Sequence, residues 1–237
     1  MRSISVITAT FNSMETLPKL VESLKKQSDN YFKWIICDGG SSDGTVEYLK
    51  SLKGINFYLS SQKDFGIYDA LNRGLSICKT SYYLTVGSDD TLDLKAIENY
   101  KSEITDHPDL VFAKLYMGDR LTFPSLKNGW LRGMADQGGC HSVGTLIKTR
   151  LHEDVGVYSK NYPICADRLF IGKCFKNGAY VRSANFIAGN YSVHGISSTE
   201  RLAVFTESYR IQVELGYEKF VQTLLFVMRI IKNYNNI

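Results

Sequence analysis

Apolar, β-prone runs alternate with amphipathic runs through the first hundred residues, and that alternation leaves the chain few folds to choose from. Ile4 to Thr10 reads as a strand. Asn12-Ser13 then opens a helix to about Lys26, with Ser13 or Asn12 as cap, Thr16 and Pro18 in its first turn, and Leu17, Leu20, Val21 and Leu24 on one face. Phe32 to Cys37, Ile55 to Ser60 and Tyr82 to Val86 read as further strands. Thr45 to about Leu52 and Gly66 to Cys78 read as helices, the latter burying Ile67, Ala70, Leu71, Leu75 and Ile77 or Cys78. Strands and helices in this order predict an α/β fold built on a mostly parallel sheet with helices on both faces.

After Tyr100 the pattern weakens. Leu110 to Met117, Val143 to Lys148 and Ala179 to Phe186 resemble strands, Asp167 to Lys176 a helix, and Leu121 to Gly139 a long irregular loop of the kind that is either functional or disordered. Leu202 to Gly216 and Tyr217 to Tyr234 read as C-terminal helices.

Asp89 and Asp90 follow directly on the Tyr82-to-Val86 strand, at the end of the sheet where open α/β folds collect ligands. Paired carboxylates there suit Mg²⁺ or Mn²⁺ carrying a phosphorylated molecule. The pair also has a plain structural reading, in which Asp90 or Thr91 caps a helix from Leu92 to Tyr100. Upstream, Thr10 and Asn12 sit at the end of the first strand and Asp38 at the end of the second. A carboxylate in that position can accept from an imide N–H such as N3 of uracil. Glycines 39, 40 and 44 let the backbone turn and approach closely. Neither G-x-G-x-x-G nor G-x-x-x-x-G-K-[ST] occurs, so dinucleotide oxidoreduction and ATP hydrolysis lack their usual anchors.

Bulk properties exclude several classes. The chain has 237 residues, 44% hydrophobic and 22% charged, which is ordinary for a globular protein with a substantial core. A net charge of +4 is too small to argue for nucleic acid. The five cysteines form no C-x-x-C pair and read as free thiols, without a zinc site. Met1-Arg2-Ser3-Ile4 runs straight into a strand, leaving no room for a signal peptide, and no stretch reaches the roughly eighteen apolar residues of a membrane span. The expectation is a cytoplasmic protein.

The segments S-V-I-T-A-T-F-N at 5 to 12, D-G-G-S-S-D-G-T at 38 to 45, D-F-G-I-Y-D-A-L-N-R-G at 64 to 74 and G-S-D-D at 87 to 90 together resemble the family 2 inverting glycosyltransferases. The closest likeness is to the bacterial branch that builds capsules, exopolysaccharides and O-chains. The resemblance implies the A-type glycosyltransferase fold, Rossmann-like and mostly parallel, with C-terminal helices. It implies one catalytic domain over 1–200, with donor binding in 1–100 and acceptor binding in 101–200, and a helical extension over 201–237. The implied partners are a UDP-sugar donor and a lipid-linked glycan acceptor, with Mn²⁺ or Mg²⁺ as cofactor.

Carried over position by position, the resemblance gives Thr10 and Asn12 a place beside the nucleotide and Asp38 the reading of the base. It puts Asp64 close to the donor, with Asp69, Asn72 and Arg73 on the following helix; Asp69 and Asn72 have the alternative of capping and positioning. Ser88-Asp89-Asp90 matches the D-x-D metal element with Ser in its first acidic position, so that Asp90 is the direct ligand and Asp89 holds ribose or metal-bound water. Asp167 matches the aspartate that acts as general base, with Asp154 in reserve. His141 matches a histidine facing acceptor or diphosphate, and His194 lies in a loop where an imidazole reaches metal or diphosphate; both have structural readings too. His107 and His152 read as surface residues. A sugar-phosphate nucleotidyltransferase would need a glycine-rich, basic loop near the first strand, which is missing; a catalytically silent glycan binder is the other alternative. The last helix carries a run of apolar residues with Arg229 and Lys232 near its end. Two placements suit it: packing against the catalytic domain or a second copy in a homodimer, or lying on the inner face of a membrane.

Overall fold

The computed structural model describes residues 3–124, 142–193, 195 and 199–234. Its first half follows the alternation in the sequence: β1 (Ile4–Thr10), α1 (Leu17–Lys25), β2 (Lys33–Asp38), α2 (Thr45–Ser51), β3 (Phe57–Ser61), α3 (Ile67–Ile77) and β4 (Tyr82–Thr85). A short β5 (Thr91–Leu92) and α4 (Ala96–Glu103) lead into β6 (Leu110–Met117) and β7 (Arg120–Thr122). A 3₁₀ turn over Ser142–Gly144 precedes β8 (Thr145–Lys148), α5 (Leu151–Val155), α6 (Ala166–Lys176), β9 (Val181–Tyr191), α7 (Arg201–Glu214) and α8 (Lys219–Lys232).

The strands form one sheet in the order β3-β2-β1-β4-β8-β6-β9-β5, with β7 paired to β6. Strands β1 to β4 are mutually parallel where they pair, and β6 and β9 run parallel to each other. Between these two groups β8 is antiparallel to both β4 and β6. Parallel central strands are covered on both faces, so their side chains alternate between two cores. On one face Ile7, Ile35, Tyr83 and Phe112 pack with α3, α6 and α7. On the other, Val6, Trp34, Leu84 and Val111 pack with α1, α2 and α4.

Several expected boundaries move, each for a local reason. Helix α1 starts at Leu17 because Asn12 adopts φ 48° and Ser13 accepts the N–H groups of Thr16 and Leu17 in a turn; Pro18 then sits in the first helical turn. Neither Asp90 nor Thr91 caps a helix: Thr91–Leu92 pairs with Gly189 and Asn190, and α4 begins only at Ala96. Helix α3 buries Tyr68 rather than Ile67. The strand expected to end at Phe186 continues to Tyr191, where it meets β5 and the end of β6. Residues 121 and 122, expected in a loop, lie in β7; the rest of that expected loop, from 125 on, falls outside the described residues. Cys37, Cys78, Cys165 and Cys174 are free thiols, as expected of them. No helix among the described residues is long and apolar enough to cross a membrane.

Candidate active site

Pairing of Thr10 with Asp38, and of Asp38 with Ser61, lines up the carboxyl ends of β1, β2 and β3. The loops that leave these ends are laced together by short polar side chains. Asn12 donates its N–H to Ser41 Oγ at 2.8 Å and accepts from the Ser42 N–H at 2.9 Å. Ser13 accepts nothing from α2 but donates its N–H to Thr45 Oγ1 at 2.9 Å, and its hydroxyl meets Ser88 Oγ at 2.8 Å. Asn12 therefore holds the first two loops together, and Ser88 ties the β4 loop to them.

Asp38 is wholly buried and its carboxylate is saturated. Oδ1 accepts from Thr10 and Ser41 hydroxyls, and Oδ2 from the Gly40 and Ser41 N–H groups and the Ser61 hydroxyl. Burial alone would raise its pKa, but these donors outweigh burial and hold the carboxyl below its ordinary value. Arg73 reaches over from α3, donating Nη2 to the Asp38 carbonyl at 2.8 Å and approaching Asp64 at 3.7 Å. Its Nε and Nη1 are buried and find no oxygen or nitrogen partner among the described residues. Asp64 accepts from the Gly66 N–H, and its carboxylate crowds Gly39 so closely that a Cβ there would lie 2.9 Å from Oδ2. Asp69 pairs with Lys160 at 3.1 Å. Asn72 brackets Tyr158, donating to its carbonyl and accepting its N–H, so it fastens α3 to the segment before α6.

The two acids after β4 have opposite surroundings. Asp90 is 2% exposed, accepts from the Gly87 N–H and the Ser142 hydroxyl on Oδ2, and accepts from the Ser192 N–H on Oδ1. It thereby ties the end of β4 to the residues that precede β8 and follow β9. Burial, with the charge of Asp89 adding to it, pushes the Asp90 carboxyl up to about 6. Asp89 is exposed. One point above the Gly87 α-carbon lies 2.8 Å from Asp89 Oδ1 and 2.9 Å from Asp90 Oδ2, so glycine is required where the two carboxylates converge. Among the described residues no cluster of three or more His, Cys, Asp or Glu side chains forms a ready metal cage. His141 and His194 lie outside the described residues.

Asp167 stands at the first turn of α6, facing the start of α3. Its Oδ1 accepts from Tyr68 Oη at 2.8 Å and from the Arg168 N–H at 2.8 Å, and neither of these bonds uses Oδ2. Burial raises its pKa against the opposing charge of Arg168 and the Tyr68 bond. The Tyr68 hydroxyl, held far above its ordinary pKa by burial and by Asp167, stays a donor shared with the Ile164 carbonyl. Behind Asp167, Glu207 of α7 is buried and accepts the Ile164 and Cys165 N–H groups at 3.1 and 2.8 Å. Asp154, the reserve candidate, is exposed on α5.

His152 is not a surface residue. Its ring stacks on Phe170 at 4.2 Å, Nδ1–H donates to the Gly156 carbonyl, and Nε2 accepts from Tyr83, whose hydroxyl also meets Tyr158. Burial lowers its pKa, and the neutral ring completes this network. Sequence reasoning also missed Ser41, Ser61, Ser142, Ser192 and Glu207, which are hydrogen-bond partners drawn from distant segments. Tyr68 was visible inside the G-I-Y-D-A run but passed over as a core position.

These site elements, on this sheet order, define a known class. The family model for glycosyl transferase family 2 matches residues 5–139, and the chain belongs to that family. It is a glycosyltransferase with the A-type glycosyltransferase fold. A PGL/p-HBAD biosynthesis glycosyltransferase of Mycobacterium tuberculosis is 27% identical over 210 residues, covering 81% of this chain and 77% of the relative. A cholesterol galactosyltransferase of Borreliella burgdorferi is 28% identical over 117 residues, 48% of this chain and 33% of that protein. In fold, the chain is similar to S. aureus TarS 1–349 (TM-score 0.72, 18% identity, 99% of this chain and 72% of TarS 1–349), which has also been solved with UDP-GlcNAc. It is likewise similar to the mannosyltransferase PcManGT of Pyrobaculum calidifontis, solved with GDP-Man and Mn²⁺ (TM-score 0.69, 12% identity, 98% and 75% covered).

Proposed function

We propose that this enzyme moves one sugar from a UDP-sugar to a hydroxyl of a growing, lipid-linked bacterial surface glycan, inverting the anomeric carbon. The observation that carries this reading is Asp167: a carboxylate at the start of α6, made more basic by burial and oriented by Tyr68 through Oδ1. In the reaction the acceptor hydroxyl gives its proton to Asp167 Oδ2 as its oxygen bonds to the anomeric carbon, while the bond from that carbon to the diphosphate breaks on the opposite face. Residues 1–100 hold the donor and 101–200 the acceptor.

Thr10, Asp38, Asp64 and Arg73 form the donor end. Asp38 shares its saturated carboxylate with the uracil imide by displacing or splitting one hydroxyl bond, and the Arg73 guanidinium beside it adds positive charge at the donor end. Asn12, Asn72 and Ser88 position these loops. Asp69 steers through its pairing with Lys160. The chemistry of the acid pair fits a hard divalent cation, because two like charges converge over Gly87 and one of them is buried at a cost. The resemblance made Asp90 the direct ligand; because its oxygens already accept from Gly87, Ser142 and Ser192, we assign that role instead to the exposed Asp89, with Asp90 fixing the surrounding backbone. Mn²⁺ or Mg²⁺, when bound, neutralises charge on the departing diphosphate. His141 and His194 keep their proposed places near the diphosphate. The mannosyltransferase solved with GDP-Man and Mn²⁺ and the TarS structures solved with UDP and UDP-GlcNAc support a nucleotide-sugar donor and a divalent cation.

The test is UDP release from a panel of UDP-sugars with Mn²⁺, Mg²⁺ or chelator, followed by the anomeric configuration of the product by NMR once an acceptor turns over. Release from one donor that chelator abolishes is expected. Turnover with a purine-linked donor alone, or a retained anomeric configuration, would overturn the donor or the stereochemical part respectively.

A further inference from the structure

The last helix is built inside out. On α8 the residues that pack toward α7 include Gln222, Leu225, Phe226 and Arg229, with Phe226 against Tyr209 at 5.3 Å. The opposite stripe, at the i, i+4, i+7, i+8 and i+11 spacing of one helical face, is Phe220, Leu224, Val227, Met228 and Ile231, continued by Tyr234. These six side chains are 45% to 78% exposed. Lys219 and Lys232 border the stripe. From residue 219 to 237 the sequence has Lys219, Arg229 and Lys232 and no Asp or Glu, and the Glu218 carboxylate at the helix start is taken up in capping the Val221 N–H. An apolar face about 20 Å long, bordered by Lys219 and Lys232 with Glu218 as the one acid beside it, is a large unburied surface for a helix to present to water.

The geometry points to an anionic lipid bilayer as what covers this face, with α8 lying in the plane of the interface and its stripe in the boundary between headgroups and acyl chains. Charge decides between occupants. A second copy of the chain meeting the stripe face to face would bring two lysines from each copy together against a single Glu218 from each, whereas anionic headgroups complement Lys219 and Lys232. A helix of this length cannot span, so it lies on the surface. The inference does not depend on the transfer reaction, since α8 contributes no residue to the site described above.

The experiment is flotation of the full chain with vesicles of phosphatidylcholine containing about a third phosphatidylglycerol, beside vesicles of phosphatidylcholine alone. Strong flotation with the anionic vesicles is expected, reduced at least about tenfold by Leu224→Glu or Ile231→Glu and several-fold by Lys219→Ala with Lys232→Ala or by raised salt. Both glutamate variants alter exposed positions, so their melting curves and vesicle-free UDP release should match the parent. Absence of flotation, or flotation indifferent to Leu224→Glu and Ile231→Glu, overturns the proposal. So does a dimer in sedimentation velocity that Leu224→Glu converts to monomer while vesicle binding is absent.

Discussion

Three carboxylates in this chain have been placed in three electrostatic settings, and each setting predicts a different response. Burial raises the pKa of Asp167, the proposed base, so activity should fall as pH is lowered through a value above the ordinary aspartate one. Asp167→Asn should lose about 10²- to 10⁴-fold in kcat while donor affinity, read by calorimetry with UDP, stays close to the parent's. Asp38 has the reverse shift. Because its folded-state pKa is depressed, its contribution to stability is complete above the unfolded value and drains away as pH falls through the folded one. Asp38→Asn puts an amide N–H₂ where donors already point, and should cost about 1–3 kcal/mol in urea unfolding at pH 7, a difference that shrinks in acid. At the acid pair, Mn²⁺ should raise the melting temperature of the parent at neutral pH by linkage, and Asp89→Asn should remove that rise. An unchanged Mn²⁺ response in Asp89→Asn would return the ligand role to Asp90. The sequence displayed all three carboxylates at the right strand and helix ends, but not their settings. Those depend on Ser41, Ser61, Ser142 and Ser192, whose hydroxyls and N–H groups arrive from separate loops and leave no local pattern.

At the scale of elements, the proposed base Asp167 is held by helices rather than by its own loop. Helix α6 begins where Glu207 of α7 accepts two N–H groups, and α3 delivers Tyr68 to Asp167 and Asn72 to Tyr158. Glu207→Ala would leave two N–H groups at the α6 start without their acceptor, costing about 1–3 kcal/mol. It should also lower kcat with little change in the KM for donor, since the donor loops are fastened independently through Asn12, Ser13 and Thr45. Glu207→Gln, whose carbonyl can accept the same bonds, should recover most of that loss. Parallel strands β1 to β4 were legible to within about two residues, β1, β2 and β4 because burial on both faces writes an apolar run into each, and the half-exposed edge strand β3 because Phe57, Tyr58 and Leu59 are β-prone. Helix starts were less legible, since polar residues that read as caps, such as Asn12, are spent on bonds between loops. Strand β8 shows the limit: nothing within four residues of sequence says that it will run antiparallel between β4 and β6.

Considered whole, the molecule joins a parallel half, β1 to β4, to a second half through β8, and α7 packs on the core of the second half. The sequence suggested a single helical extension after residue 200, yet its two helices are bound to the body very differently. Helix α7 sends Val204, Ile211 and Leu215 into the core that also holds Phe170 and Phe112, together with the buried Glu207. Each such aliphatic side chain is worth about 1.5–3 kcal/mol when fully buried. Among the described residues of helix α8 Gln222 alone is buried, Phe226 meets Tyr209 of α7, and Phe220, Leu224, Val227, Met228 and Ile231 face away. Removing residues 219–237 should therefore leave a cooperative melt within a few degrees of the parent, because little core is lost. Removing residues 201–237 should abolish cooperative unfolding, because the loss exceeds what a domain of marginal stability retains. Circular dichroism melts of the two truncations decide this. If both unfold alike, α8 carries core packing and its outward stripe is secondary; if they separate as expected, the body ends with α7 and α8 is free to serve a surface of its own.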